Sequence, residues 1–181
     1  MANNYTRIHY VVRLIDERRV WSSPADVIEA IRQARPVEMK IRGDGSSDDH
    51  YMSARTLGRL IAFLFDLKLI IIAHDGEVST SREGARAAHD QAVFDLLIKS
   101  SVRSLLEQGE APIEKVLDTI RSIHRPAVPD AKTIHGRLKA KNKSIQISLD
   151  QFRRLLYLYS KAGGIDRIVR VHYSEASGAK R

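Results

Sequence analysis

The chain has 181 residues, 43% of them hydrophobic and 29% charged, the balance of a folded protein with length for one good core or two small ones. It contains no cysteine, which excludes a disulfide framework, a thiol nucleophile and a cysteine metal cage. The net charge of +8 is unevenly spread: residues 1–90 hold 13 basic and 13 acidic side chains, residues 91–181 hold 17 and 9.

In chain order, residues 5–20 place Ile8, Val11, Val12 and Ile15 at helical spacing, with charges on the other side. Ser23-Pro24 is a helix start, Ser as N-cap and Pro in the first turn, and the helix runs to about Ala34, before Pro36. Residues 42–49 read as a polar loop. Ser53 caps a third helix with a core stripe of Leu57, Leu60, Ile61 and Leu64, and its further Phe63 and Phe65 make it nearly apolar all round. The period then changes: 68–73 and 77–80 read as the strands of a hairpin turning at Asp75-Gly76, and 81–90 as helix again.

The second half opens with a helix over about 93–106, ended by Gly109, and another from Pro112 to about Ile123. Pro126 and Pro129 interrupt the chain. Asp130 caps a further helix to about Lys141, 145–147 reads as a short strand, Ser148 starts the last helix and Gly163-Gly164 ends it. Residues 165–173 alternate as a strand does, and 174–181 are expected to be a disordered tail. The longest apolar runs, 60–65 and 69–73, fall far short of the roughly 20 residues of a membrane span. With no basic start leading into an apolar stretch, no secretory leader is expected, and the cytoplasm is the expected compartment.

The two halves repeat one another. Residues 27–32 (VIEAIR) match 116–121 (VLDTIR) at an offset of 89, and Ser53, Leu57, Arg59, Leu60 and Ile61 match Ser148, Phe152, Arg154, Leu155 and Leu156 at an offset of 95. Two ordered matches imply two copies of a unit of about 90 residues, here 1–90 and 91–173. The helix at 130–141 has no counterpart in the first copy.

Three helices followed by a hairpin is the order of a winged helix, and the stretch from Leu67 to Arg86 (LKLIIIAHDGEVSTSREGAR) resembles the ending of many bacterial winged-helix domains. Those run from the third helix through a strand, an Asp-Gly turn, a second strand and a Thr-x-x-Glu-Gly-like helix start, with which Ser81 and Gly84 are in register. The resemblance implies a mainly α fold with small β-hairpins (α+β), two tandem winged-helix-like domains, and duplex DNA as the commonest partner of such folds. A second wing would have to lie after Tyr173. Some winged helices serve only as protein-interaction modules, so function has to be argued from the surface and not from the fold.

The surface divides by copy. Between residues 125 and 154 the second copy carries Arg125, Lys132, Arg137, Lys139, Lys141, Lys143, Arg153 and Arg154 against Asp130 and Asp150, a field that attracts polyanions. Lysines there would contact phosphates. The outward side of the last helix is expected to present Asp150, Gln151, Arg154, Leu158 and Lys161, of which Gln151 and Arg154 could read adenine and guanine, and Arg167 and Arg170 extend the track. In the neutral first copy Arg55 and Arg59 lie one turn apart on the third helix, while Phe63 and Phe65 point to an interface, with a homodimer the simplest case. Tyr157, Tyr159 and Phe152 could stack on unpaired bases, but at their spacing two belong to the helix core.

Catalysis is not expected. The seven histidines are scattered without metal-ligand spacing, Asp48-Asp49-His50 is better explained as a solvated loop, Ser100-Ser101 has no partnered base, and Gly43-Asp44-Gly45 lacks the Lys-Ser/Thr of a phosphate-binding loop. No cofactor, small-molecule substrate or membrane contact is expected. The sequence reads as a non-enzymatic DNA-binding protein, a transcriptional regulator or an accessory of a DNA-processing or defence system. The alternative is an interaction scaffold, like the tandem winged-helix subunits that clamp chromosome-organising ATPase complexes.

Overall fold

Serine and aspartate caps, more than hydrophobic runs, set where this chain's helices begin. The computed structural model describes residues 4–41, 50–124, 128–166 and 169–170; the expected loop at 42–49 and tail at 174–181 lie outside them. It is mainly helical with a small three-stranded antiparallel sheet, and it divides into two compact units, Met1–Leu97 and Ile98–Arg181.

In the first unit, α1 (Asn4–Arg18) buries Ile8, Val11, Val12 and Ile15, as their spacing predicts. Arg19 turns left-handed at φ 64° and leads into β1 (Val20–Trp21), a strand that the sequence does not announce. It exists because Trp21 is buried, its indole N–H donating to the Ile15 carbonyl at 3.3 Å, and because Val20 and Trp21 pair with the hairpin's return strand. Ser23 caps α2 (Pro24–Ala34), which buries Val27 and Ile31. Two short strands, β2 (Lys40–Ile41) and β3 (His50–Tyr51), pair antiparallel on either side of the loop outside the described residues.

Ser53 caps α3 (Ala54–Asp66), which packs against α2. Its buried stripe is Leu57, Ile61 and Leu64, while Leu60 is half-buried. The strands β4 (Ile70–Ile72) and β5 (Val78–Thr80) form the expected hairpin, with β1 on the far side of β5. Lys68, expected in the first of these strands, is instead the left-handed residue (φ 58°) that closes α3, with the Leu69 N–H returning to the Leu64 carbonyl at 3.0 Å.

Ser81 then caps α4 (Arg82–His89): its Oγ accepts from the Gly84 N–H at 2.9 Å and donates to the Lys68 carbonyl at 2.8 Å. A Cβ on Gly84 would lie 1.9 Å from the Leu69 carbonyl oxygen, so this position takes only glycine without movement of the backbone.

The helix α5 (Gln91–Gln108) crosses the division between units, which falls at Leu97 and not at Asp90. Its first turns belong to the first unit because Phe94 is buried with Tyr5 edge-on at 5.0 Å and His9 stacked at 4.5 Å. The Tyr5 hydroxyl donates to the Asp95 carboxylate; burial first, and then that bond and charge, push the phenol's pKa above its ordinary range.

The second unit continues with α6 (Ile113–Ser122), α7 (Ala131–Lys141) and α8 (Leu149–Lys161). The repeat read from sequence persists in backbone detail. Ser53 has φ −65° and ψ 154°, Ser148 φ −67° and ψ 155°, and each side-chain oxygen accepts from the amide three residues on. At the other end Gly163, at φ 72°, stands where Lys68 does, and the Gly164 N–H returns to the Tyr159 carbonyl at 2.8 Å, as Leu69 does to Leu64.

One expectation fails here, and a second lies largely outside the described residues. Residues 145–147 form no strand, because no strand lies beside them. Ile145 and Ile147 are anchored by burial, by a Gln146 N–H bond to the Gly109 carbonyl at 3.3 Å and by His135 Nε2 at 2.9 Å from the Ile147 carbonyl. Of the strand expected over 165–173, the described residues hold one isolated parallel bridge, Asp130 with Arg170. A wing after Tyr173 lies outside the described residues.

Candidate nucleic-acid interface

The basic surface is built on α7. Asp130 Oδ1 accepts from the Thr133 N–H at 2.9 Å, fixing the first turn. Ala131, Ile134, His135 and Leu138 turn inward, and α7 packs against both α6 and α8. That leaves Lys132, Arg137, Lys139 and Lys141 exposed. Lys143 follows in a turn held by Asn142, whose Oδ1 accepts from the Ser144 N–H at 3.1 Å and from its Oγ at 2.7 Å. At the opposite end Arg170 is brought to the start of α7: its N–H donates to the Pro129 carbonyl at 2.8 Å and its carbonyl accepts from Ala131 at 3.1 Å.

Among the described residues none of these six cations is in an ion pair. Lys141 lines a cleft of about 340 Å³ together with Glu110, Lys115 and Asp118, yet pairs with neither acid. Arg167 lies outside the described residues.

The outward side of α8 is less basic than its sequence suggests. Gln151 and Arg154 are exposed as expected. Arg153 is half-buried and paired with Asp150 at 3.4 Å, an i,i+3 contact on the first turns. Leu158, expected on the outward side, is 1% exposed and part of the core. The Lys161 ammonium lies 5.8 Å from the centre of the Tyr157 ring. Phe152 and Tyr159 are buried, Phe152 against His135 at 5.3 Å, so neither offers a free ring for base stacking. His135 is thus a buried side chain bonded to a carbonyl, whereas His124 is exposed.

In the first unit, α3 is not apolar all round. Arg55, Arg59, Ala62 and Asp66 form an exposed stripe at helical spacing, Phe63 is half-buried, and Phe65 is 49% exposed. The hairpin tip carries His74, Asp75 and Glu77, all exposed, with the Glu77 N–H bonded to Asp75 Oδ1 at 3.1 Å. Val20 and Ile71, about half exposed, both pair with Ser79 and so share one face of the sheet. No group of three or more metal-ligating side chains gathers among the described residues, and no helix there is long and apolar enough to cross a membrane.

The sequence misses three features of this surface. The Asp150–Arg153 pair could have been found from its spacing on a helix. The Asn142 turn has a weaker signal in Asn-Lys-Ser, and the return of Arg170 to α7 has none, since it depends on a backbone bridge across forty residues. Compared with protein-family models, with curated proteins and with solved structures, the chain finds no match in any of the three.

Proposed function

We propose that this protein is a non-enzymatic, tandem winged-helix DNA-binding protein whose second unit contacts duplex DNA, serving as a transcriptional regulator or as an accessory of a DNA-processing or defence system. The observation that carries this reading is the set of exposed cations on α7, in its following turn and at Arg170, without acidic partners among the described residues. What sets these cations apart is their clustering on one helix and its flanks with no acid inside the helix, and such a concentration of one sign favours an external anion. Apart from the short β2–β3 pair inserted between α2 and α3, the order α1–β1–α2–α3–β4–β5, with β1 completing the sheet, supports a winged-helix reading of the first unit.

The first unit lacks the charge for phosphate. Its hairpin tip is acidic on balance, and its exposed Val20, Phe65 and Ile71 suit a protein contact. Self-association through this unit is the simplest form, and the same residues favour the second reading, a scaffold that binds a protein partner without DNA.

Fluorescence anisotropy against unrelated duplexes across a salt series separates the two. If about six phosphates are neutralised, the log–log slope is on the order of −5. Removing the charges of Lys139, Lys141, Lys143, Arg153 and Arg154 abolishes binding without altering the sedimentation of the protein. Absence of duplex binding by the wild-type protein at moderate salt overturns the DNA reading. Phe65→Asp, at a half-exposed site, leaves the fold intact and dissociates the oligomer; an unchanged sedimentation coefficient removes Phe65 from the interface.

A further inference from the structure

The exposed cations of α7 fall in two rows, not one. At about 100° per residue, Lys132 and Lys139 lie within about 20° of each other, Arg137 and Lys141 within about 40°, and the rows are about 170° apart. The outward midline between the rows is Thr133, Gly136 and Ala140, all exposed, and a Cβ added at Gly136 would meet nothing within 4 Å. No acidic residue lies within the helix itself; the nearest in sequence, Asp130, is engaged as its cap, and Glu110 and Asp118, which share a cleft with Lys141, belong to other elements and form no ion pair with it. Eleven residues make a rod about 16 Å long.

Resting on the reading of the second unit as a DNA-binding unit, we infer that α7, and not α8, enters the major groove of duplex DNA. The rows face the two phosphate backbones, and the short side chains of the midline let the helix axis approach the base edges. The groove is wide enough to admit a helix, and cations at both flanks meet phosphates on both walls. By contrast α8 presents Asp150 at its first turn, 81% exposed, where a groove-entering helix needs neutral or positive side chains. Readout along the midline is confined to Thr133 and the Ala140 methyl, so affinity is broad in sequence, with thymine methyl groups the only apolar target. The pairing of rows also selects the nucleic acid. The major groove of duplex RNA is deep and too narrow for a helix, so DNA is preferred at equal charge.

The test uses the full-length protein and fluorescein-labelled mixed-sequence duplex DNA. G136L/A140L fills the midline without changing charge and with better helix propensity at Gly136, so circular dichroism and melting stay at or above the wild-type values. Affinity falls about tenfold or more, whereas G136A binds as the wild type does. A duplex whose major groove is occupied by glucosylated hydroxymethylcytosine binds correspondingly more weakly. If G136L/A140L and the glucosylated duplex leave affinity unchanged while removal of the four α7 charges abolishes it, the groove assignment is overturned and the DNA reading stands. If the wild-type protein binds no duplex at all, both fall. Equal binding to duplex RNA also overturns the groove assignment.

Discussion

Two units that share the serine cap of their third repeated helix differ in what lies between the second helix and the third. In the first, α2 packs directly on α3, and the chain goes on to a sheet; in the second, α7 packs on both α6 and α8, and a bridge to Arg170 takes the place of a hairpin among the described residues. The buried positions correspond: Val27 with Val116, Ile31 with Ile120, Leu57 with Phe152 and Ile61 with Leu156. The inserted helix adds four exposed cations, Lys132, Arg137, Lys139 and Lys141, with no acid among them. A repeated scaffold therefore keeps its packing register while a helix added between two repeated ones changes what the surface attracts.

The comparison is sharpest at two glycines. In the first unit Gly84→Ala drives a Cβ into the Leu69 carbonyl, and stability falls by about 2–3 kcal/mol, read from chemical denaturation. In the second unit Gly136→Ala points into open space within a helix and raises stability by up to about 1 kcal/mol. Equal effects at the two sites would contradict the packing described for both. The serine caps provide the finer measure. With matching dihedral angles, Ser53→Ala and Ser148→Ala each cost about 1 kcal/mol. A difference between them larger than about 0.5 kcal/mol, in unfolding resolved for each unit, breaks the claim that the repeat extends to its capping energetics.

Much of this was legible because caps are local. Ser23, Ser53, Ser81, Asp130 and Ser148 each bond an amide within three residues, so the sequence contains the whole motif. Elements that depend on distant partners were not legible. β1 has two residues and no periodicity, and its strand character comes from β5 nearly sixty residues later. The reverse holds at 145–147, where β-branched residues suggested a strand and no neighbouring strand exists. On the candidate surface, the exposure of the α7 lysines followed from their spacing around Ile134 and Leu138. Leu158 was misplaced because an apolar residue at the margin of a helix stripe is exposed or buried according to what packs there, and in α8 the core extends over it.

The bridge between Asp130 and Arg170 also sets an order of events during synthesis. The compact first unit ends at Leu97, so its own contacts can form while the rest of the chain is still being made. The backbone bonds that hold Arg170 to Pro129 and Ala131 wait until Arg170 has emerged, some forty residues after Pro129, and until then the ladder that places Arg170 beside α7 has only one side. The basic surface is thus completed only after the first unit has had the opportunity to fold.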